Sequence, residues 1–225
     1  MSSASLVGHT VWLGETYTGG DLTSVVAECA RVSNPTGVRK SSNEKLLKYL
    51  IKHKHWSPLE MANVVLDIST TRDIARQLLR HRSFSLQEFS QRYSAVEKNT
   101  ATRECRLQDP NNRQNSLECD DEAIKTWWEE VQSASIRVGF ETYNAALAKG
   151  IAKEQARVLL AEGLTTTRLF VNGSLRSWLH YIEVRTAVES QKAHRILALQ
   201  CAKAMEPVFP DIMNFVQGDI SYEAS

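Results

Sequence analysis

Between residues 80 and 94 the chain reads RHRSFSLQEFSQRYS. Three guanidiniums (Arg80, Arg82 and Arg92) stand there with His81, Ser85, Glu88, Ser90, Gln91 and Tyr93. A guanidinium presents a planar fork that grips phosphate or carboxylate through two bonds. The hydroxyls, amides and lone carboxylate add directional bonds to a sugar or a base edge. The whole chain carries 27 Lys+Arg against 26 Asp+Glu, so this cationic cluster is a local device. It is equipment for holding a polyanionic small molecule. Taken alone, Arg-His-Arg also reads as a solvated turn with surface ion pairs. The longer pattern, RHR and then Ser-x-Arg seven residues on, fixes five positions. At roughly 5 % usage per residue type, chance gives it about three times in ten million starts.

The elements around this segment follow from apolar spacing. Thr70-Thr71-Arg72-Asp73 predicts a capped helix start running to about residue 81, with Ile74, Ala75, Leu78 and Leu79 buried. Gln77 and His81 are four apart there, as are Arg76 and Arg80. A loop and a strand over 91–96 follow. A helix over 174–184 buries Leu175, Leu179 and Ile182, which places Arg176 and His180 together on its other face. Arg185 points elsewhere. Further strands are expected over 7–13, 61–69 and 165–171. Further helices are expected over 21–32, 42–53, 120–149, 152–161 and 190–206, with Asn34-Pro35-Thr36-Gly37 as a break and Gly150 as a stop. Residues 98–118 read as a long polar loop. Trp127, Trp128, Phe140 and Tyr143 on the long helix are assigned to core ahead of a subunit interface. The fold class is α+β: residues 1–225 as one helix-rich domain with a small, mostly antiparallel sheet.

Composition narrows the function. At 225 residues the chain can bury a full core. No apolar run reaches a membrane span, and the N-terminus lacks a secretory pattern, so a cytoplasmic protein is expected. Cys29, Cys105, Cys119 and Cys201 show no CxxC pair, so free thiols and no metal are expected. Near-neutral charge argues against a general nucleic-acid binder. A module that only clamps a nucleotide or RNA remains the alternative reading. Only 10 glycines and no GxGxxG exclude the Rossmann mode of dinucleotide binding.

RHRSFSLQEFSQRYS closely resembles the signature of flavin-dependent thymidylate synthases, the ThyX type. KHKHWSPLE (52–60), RDIARQLLRHR leading into the signature, KEQARVLL (153–160) and GSLRSWLHYIEVRTAVESQKAHRIL (173–197) resemble other blocks of that family, in order. The resemblance implies an enzyme that converts dUMP to dTMP. It further implies FAD as cofactor, methylenetetrahydrofolate as one-carbon donor, NADPH as reductant, no cysteine nucleophile, and a homotetramer whose protomers share each flavin site. It implies dUMP contacts at Gln77, Arg80, Glu88, Phe89, Ser90, Gln91, Arg92, Arg157 and Arg185, with Arg185 activating the pyrimidine. FAD contacts are implied at His55, Ser57, Arg80, His81, Arg82, Glu88, Ser174, Arg176 and His180, with Asn172 as the alternative to Ser174. Gln87 stands where the family often has Asn, which leaves its role open. A catalytically dead relative is a third reading, opposed by intact Arg80, Ser90, Arg92 and Arg185.

Overall fold

The computed structural model describes residues 2–13, 21–33, 42–97, 99–113 and 115–217. Strand β1 (Ser3–His9) comes first, a few residues earlier than the expected 7–13, because it is there that it pairs with the next strand. Asp21 caps α1 (Leu22–Arg31), its carboxylate accepting from the Ser24 amide at 2.7 Å, and Ser42 caps α2 (Asn43–Lys52). The break expected at 34–37 lies outside the described residues. A 3-10 turn (Ser57–Glu60) leads into β2 (Asn63–Thr71), α3 (Arg72–Leu78) and β3 (Ser85–Glu88). Two short strands, β4 (Arg106–Gln108) and β5 (Ser116–Glu118), precede the long α4 (Glu122–Ala148). Gly150, at φ +80°, ends that helical run where a side chain would be strained. Then come α5 (Lys153–Ala156), a 3-10 turn (Arg157–Leu159), β6 (Thr166–Ser174), α6 (Leu175–Thr186) and α7 (Lys192–Met205).

Four strands form one antiparallel sheet in the order β1-β2-β6-β3. Alternation along β2 buries Val64, Leu66 and Ile68, which face Gly173, Val171 and Leu169 across the ladder to β6. Against this face pack Leu175, Trp178, Leu179 and Ile182 of α6, Leu197, Ala198 and Met205 of α7, and Leu22, Val25 and Val26 of α1. Full burial of each large apolar side chain is worth about 1.5–3 kcal/mol. Trp178 donates its indole N–H to the Val64 carbonyl at 3.1 Å, so α6 is bonded to the sheet as well as packed on it. No helix among the described residues is long and apolar enough to cross a membrane.

Four expectations need correction. Residues 91–96 are no strand: the Ser90 carbonyl accepts from the Tyr93 and Ser94 amides, and this turn bends the chain away from the sheet. The strand lies earlier, at β3, where Ser85 through Glu88 pair with Asn172 through Leu169. The polar stretch 98–118 is not all loop. Arg106 to Gln108 pair with Glu118 to Ser116, and the Asp109 carboxylate accepts from the amides of Asn111 and Asn112 and the side chain of Asn115 at the turn. The helix expected over 152–161 is a single α turn followed by a 3-10 turn. Finally, the aromatic group on α4 divides: Phe140 and Tyr143 are buried, Trp127 is 58 % exposed, and Trp128 donates to the Arg103 carbonyl at 3.0 Å.

Candidate functional site

Helix α3 ends at Leu78, so Gln77 and His81 do not share a helical face as expected. Turns carry the chain instead, with the His81 amide bonded to the Leu78 carbonyl and the Phe84 amide to the His81 carbonyl. Phe84 anchors this stretch. Its ring is buried 4.5 Å from that of Trp178, over Gly173, where a Cβ would overlap the phenyl ring. The anchor leaves Arg80 and Arg82 exposed, and among the described residues neither makes an ion pair or a side-chain hydrogen bond.

From α6, Arg185 donates its Nε–H to Nε2 of His81 at 2.9 Å. An imidazole nitrogen that accepts is unprotonated, so the His81 proton sits on Nδ1. Burial, then the Arg185 charge and then His180, lower its pKa to about 4. The His81 ring meets the Tyr181 ring edge-on at 5.1 Å. Fully buried Tyr181 has its pKa raised well above 10, chiefly by burial, and its hydroxyl lies 3.2 Å from Nε2 of His194. Nδ1 of His194 lies 3.0 Å from Oε1 of Gln77, whose amide donates to Gln191 at 2.7 Å. Burial and the Arg185 charge lower His194 to about 3. The consistent polarity is Tyr181 to His194 to Gln77 to Gln191, each group donating to the next.

A second group forms where the turn at Ser90 meets α5. Arg92 lies 3.6 Å from the Glu154 carboxylate, with both side chains half-exposed or more. Arg157 donates to the Glu154 carbonyl at 3.2 Å, and the Lys153 ammonium to the Tyr93 carbonyl at 3.0 Å. The Ser90 hydroxyl accepts from the Arg92 amide at 3.4 Å. Ser90, Arg92 and Arg157 are thus brought together. Glu88 turns inward instead, pairing with Arg72 at 3.1 Å and accepting from Thr167 at 2.9 Å. Phe89 is 42 % exposed and Gln91 is buried.

A third group joins the 3-10 turn to the start of α6. The Glu60 carboxylate accepts from the Ser174 hydroxyl at 2.6 Å and pairs with Arg176 at 2.8 Å. Ser174 caps α6, its oxygen accepting from the Ser177 amide at 3.3 Å. Arg176 and His180 are both exposed, as their shared helical face predicts. Exposed His55 meets the rings of Tyr49 and His53 at 5.9 and 6.1 Å, and Ser57 opens the 3-10 turn. Asn172 is exposed opposite Ser85 and Val65.

Sequence reading missed Glu60, Tyr181, Glu154, Gln191 and His194 as members of these groups. Glu60 and His194 lie inside stretches already singled out, but Ser174, which Glu60 meets, and Gln77, which His194 meets, are more than a hundred residues away in sequence. No spacing rule links residues so far apart.

A family model described as thymidylate synthase complementing protein, Thy1, matches residues 16–211. A probable flavin-dependent thymidylate synthase of Paramecium bursaria Chlorella virus 1 is 46 % identical over 189 residues, 84 % of this chain and 87 % of that protein. The flavin-dependent thymidylate synthase of Synechocystis sp. is 47 % identical over 188 residues, 84 % of this chain and 86 % of that protein. Among solved structures, a UMP/dUMP methylase, PolB from Streptomyces cacaoi, bound with 5-Br dUMP, superposes with a TM-score of 0.80. It is 24 % identical, and the alignment covers 96 % of this chain and 94 % of that one, a likeness of fold.

Proposed function

The chain belongs to the thymidylate synthase complementing protein family, and we propose that residues 1–225 act as one domain of an FAD-dependent enzyme that converts dUMP to dTMP. Methylenetetrahydrofolate supplies the carbon and NADPH the reducing equivalents in this reading. One observation carries it: Arg185, far along the chain, meets His81 of the signature segment at 2.9 Å. Two blocks that resembled one family separately are thereby in contact, which supports reading them as one site.

The residues fit the nucleotides they would hold. Arg80 and Arg82, without an ion pair among the described residues, match the pyrophosphate of a flavin dinucleotide. His55, Ser57, His81, Glu88, Ser174, Arg176 and His180 complete the FAD set, with Asn172 as the alternative to Ser174. Reduced flavin, when bound, supplies the hydride. For dUMP, Ser90, Arg92 and Arg157 clamp the phosphate. A phosphate dianion displaces Glu154 from Arg92 readily, since so exposed a pair is worth about 1 kcal/mol or less. Gln77, Arg80, Glu88, Phe89 and Gln91 complete the proposed dUMP set, with Glu88 held in place by Arg72.

Arg185 is the catalytic residue of the proposal. Its Nε–H is committed to His81, while its terminal nitrogens make no hydrogen bond among the described residues. They are free to meet the pyrimidine, where a fixed cation stabilises charge developing on the ring as C5 becomes nucleophilic. A neutral His81 orients this cation without adding a second charge. No cysteine stands in the three groups above, and burial raises the pKa of Cys29 and Cys201, which leaves these two thiols poor nucleophiles near neutral pH. His55 and Ser57 lie at an exposed edge, which supports a homotetramer whose protomers complete one another's flavin sites.

The test is purified protein with bound FAD, assayed for dTMP from dUMP, methylenetetrahydrofolate and NADPH. Arg185→Ala should abolish dTMP formation yet keep FAD bound and reducible by NADPH. Protein that neither binds FAD nor makes dTMP would overturn the assignment.

A further inference from the structure

Cys105 and Cys119 lie outside every group described above, yet the hairpin brings them face to face. The β4–β5 ladder pairs Gln108 with Ser116, Leu107 with Leu117 and Arg106 with Glu118. One step further, the same register sets Cys105 opposite Cys119. Residues opposite in an antiparallel pair project to the same side, with Cα atoms about 4.5–5.5 Å apart, inside the range a disulfide spans. Both cysteines line one cavity of about 510 Å³ with Arg103, Lys125, Trp128 and Lys192.

The backbone on both sides is already fixed. Two residues before Cys105, the amide of Arg103 donates to Gln132 at 2.7 Å, and its carbonyl accepts from Trp128 and Gln132 of α4. Two residues after Cys119, Asp121 caps α4, and the Cys119 thiol reaches its carbonyl at 3.7 Å. Bringing the thiols together therefore costs little conformational entropy.

We propose that Cys105 and Cys119 form a thiol–disulfide exchange site that reacts with low-molecular-weight disulfides. The Cys105 thiolate, the more accessible of the two, attacks one sulfur of the reagent and expels the other half as a thiolate. The Cys119 thiolate then attacks the Cys105 sulfur, closing the protein disulfide and releasing the second half. Two protein thiols are oxidised, one disulfide is reduced to two thiols, and both protons pass to the released thiolates or solvent. The product staples the open end of the hairpin beside Arg103, whose guanidinium bonds Asp73 at the start of α3 at 2.7 Å. Burial, chiefly, raises the pKa of the attacking Cys105 thiol, so exchange is slow near pH 7 and accelerates as pH rises.

The test treats the folded full-length chain with excess oxidised glutathione, alkylates the remaining thiols in denaturant and maps them by mass spectrometry. The expected result is a Cys105–Cys119 cross-link that dithiothreitol reverses, with Cys29 and Cys201 alkylated. Cys119→Ser should instead keep a single glutathione on Cys105. Alkylation of both Cys105 and Cys119 after prolonged treatment would overturn the proposal, as would a cross-link that involves Cys29 or Cys201. So would loss of the Cys105 adduct in Cys119→Ser.

Discussion

Arg185 and His81 share a hydrogen bond in which only the guanidinium can be charged. Burial is the larger reason His81 stays neutral, and the Arg185 charge is the second. Arg185→Ala removes the second reason and leaves the first. The His81 titration midpoint should therefore rise from about 4 but stay below 6.5, as read from imidazole proton shifts by NMR. An unchanged midpoint would mean that the two side chains do not meet in solution. At the proposed phosphate end, Glu154 pairs with Arg92 at 3.6 Å, and in that reading it competes with substrate. Exposed ion pairs are worth about 0.2–1 kcal/mol, so Glu154→Gln should tighten dUMP binding by up to about fivefold in a titration. Weaker binding would place the phosphate elsewhere.

The joint between β6 and α6 sets four residues of the proposed site, Ser174, Arg176, His180 and Arg185, in sequence. Its tightest point is Gly173, over which Phe84 lies. Gly173→Ala forces the ring aside, and overpacking of this kind costs roughly 1–3 kcal/mol. The denaturation midpoint should fall, and Phe84→Leu in the same chain should recover part of the loss, because a smaller side chain yields space. Simple addition of the two penalties would show that the contact is not the cause. This joint was largely legible: the Leu175, Leu179 and Ile182 stripe gives the helix over 174–184 by local spacing alone. Gly150 marked the end of its helical run in the same local way. The hairpin at 106–118 was not legible, because three-residue strands of mixed polarity carry no alternation to read and Asp109 organises the turn through its own carboxylate. The supposed strand at 91–96 failed because a local turn on Ser90 outweighed β propensity. The signature arginines stood out by composition. Glu60, Tyr181 and His194 did not, since apolar periodicity cannot distinguish a polar side chain with a partner on another element from an ordinary member of its own element.

Across the whole molecule, that hidden polar chain ties α3, α6 and α7 together through neutral imidazoles. Groups facing His194 are Tyr181 and Arg185 from α6, Gln77 from α3, and His81 beyond it. None offers a negative charge, because Tyr181 keeps its proton to well above pH 10. In the unfolded chain a histidine binds a proton below about pH 6.5. In the fold His194 does so only near pH 3 and His81 near pH 4. Between those limits the unfolded state holds more protons, so stability falls as pH falls, by roughly 1.4 kcal/mol per pH unit for each such proton. Above about pH 6.5 both states are neutral at these sites and the dependence vanishes. His194→Gln replaces the titrating ring with an amide that can still accept from Tyr181. Urea midpoints measured from pH 7 down to pH 4 should then decline less steeply than in the parent, even if the variant starts from a lower value. Parallel declines would show that His194 is protonated in the folded protein, and that the Tyr181–His194–Gln77 chain does not hold the three helices in register.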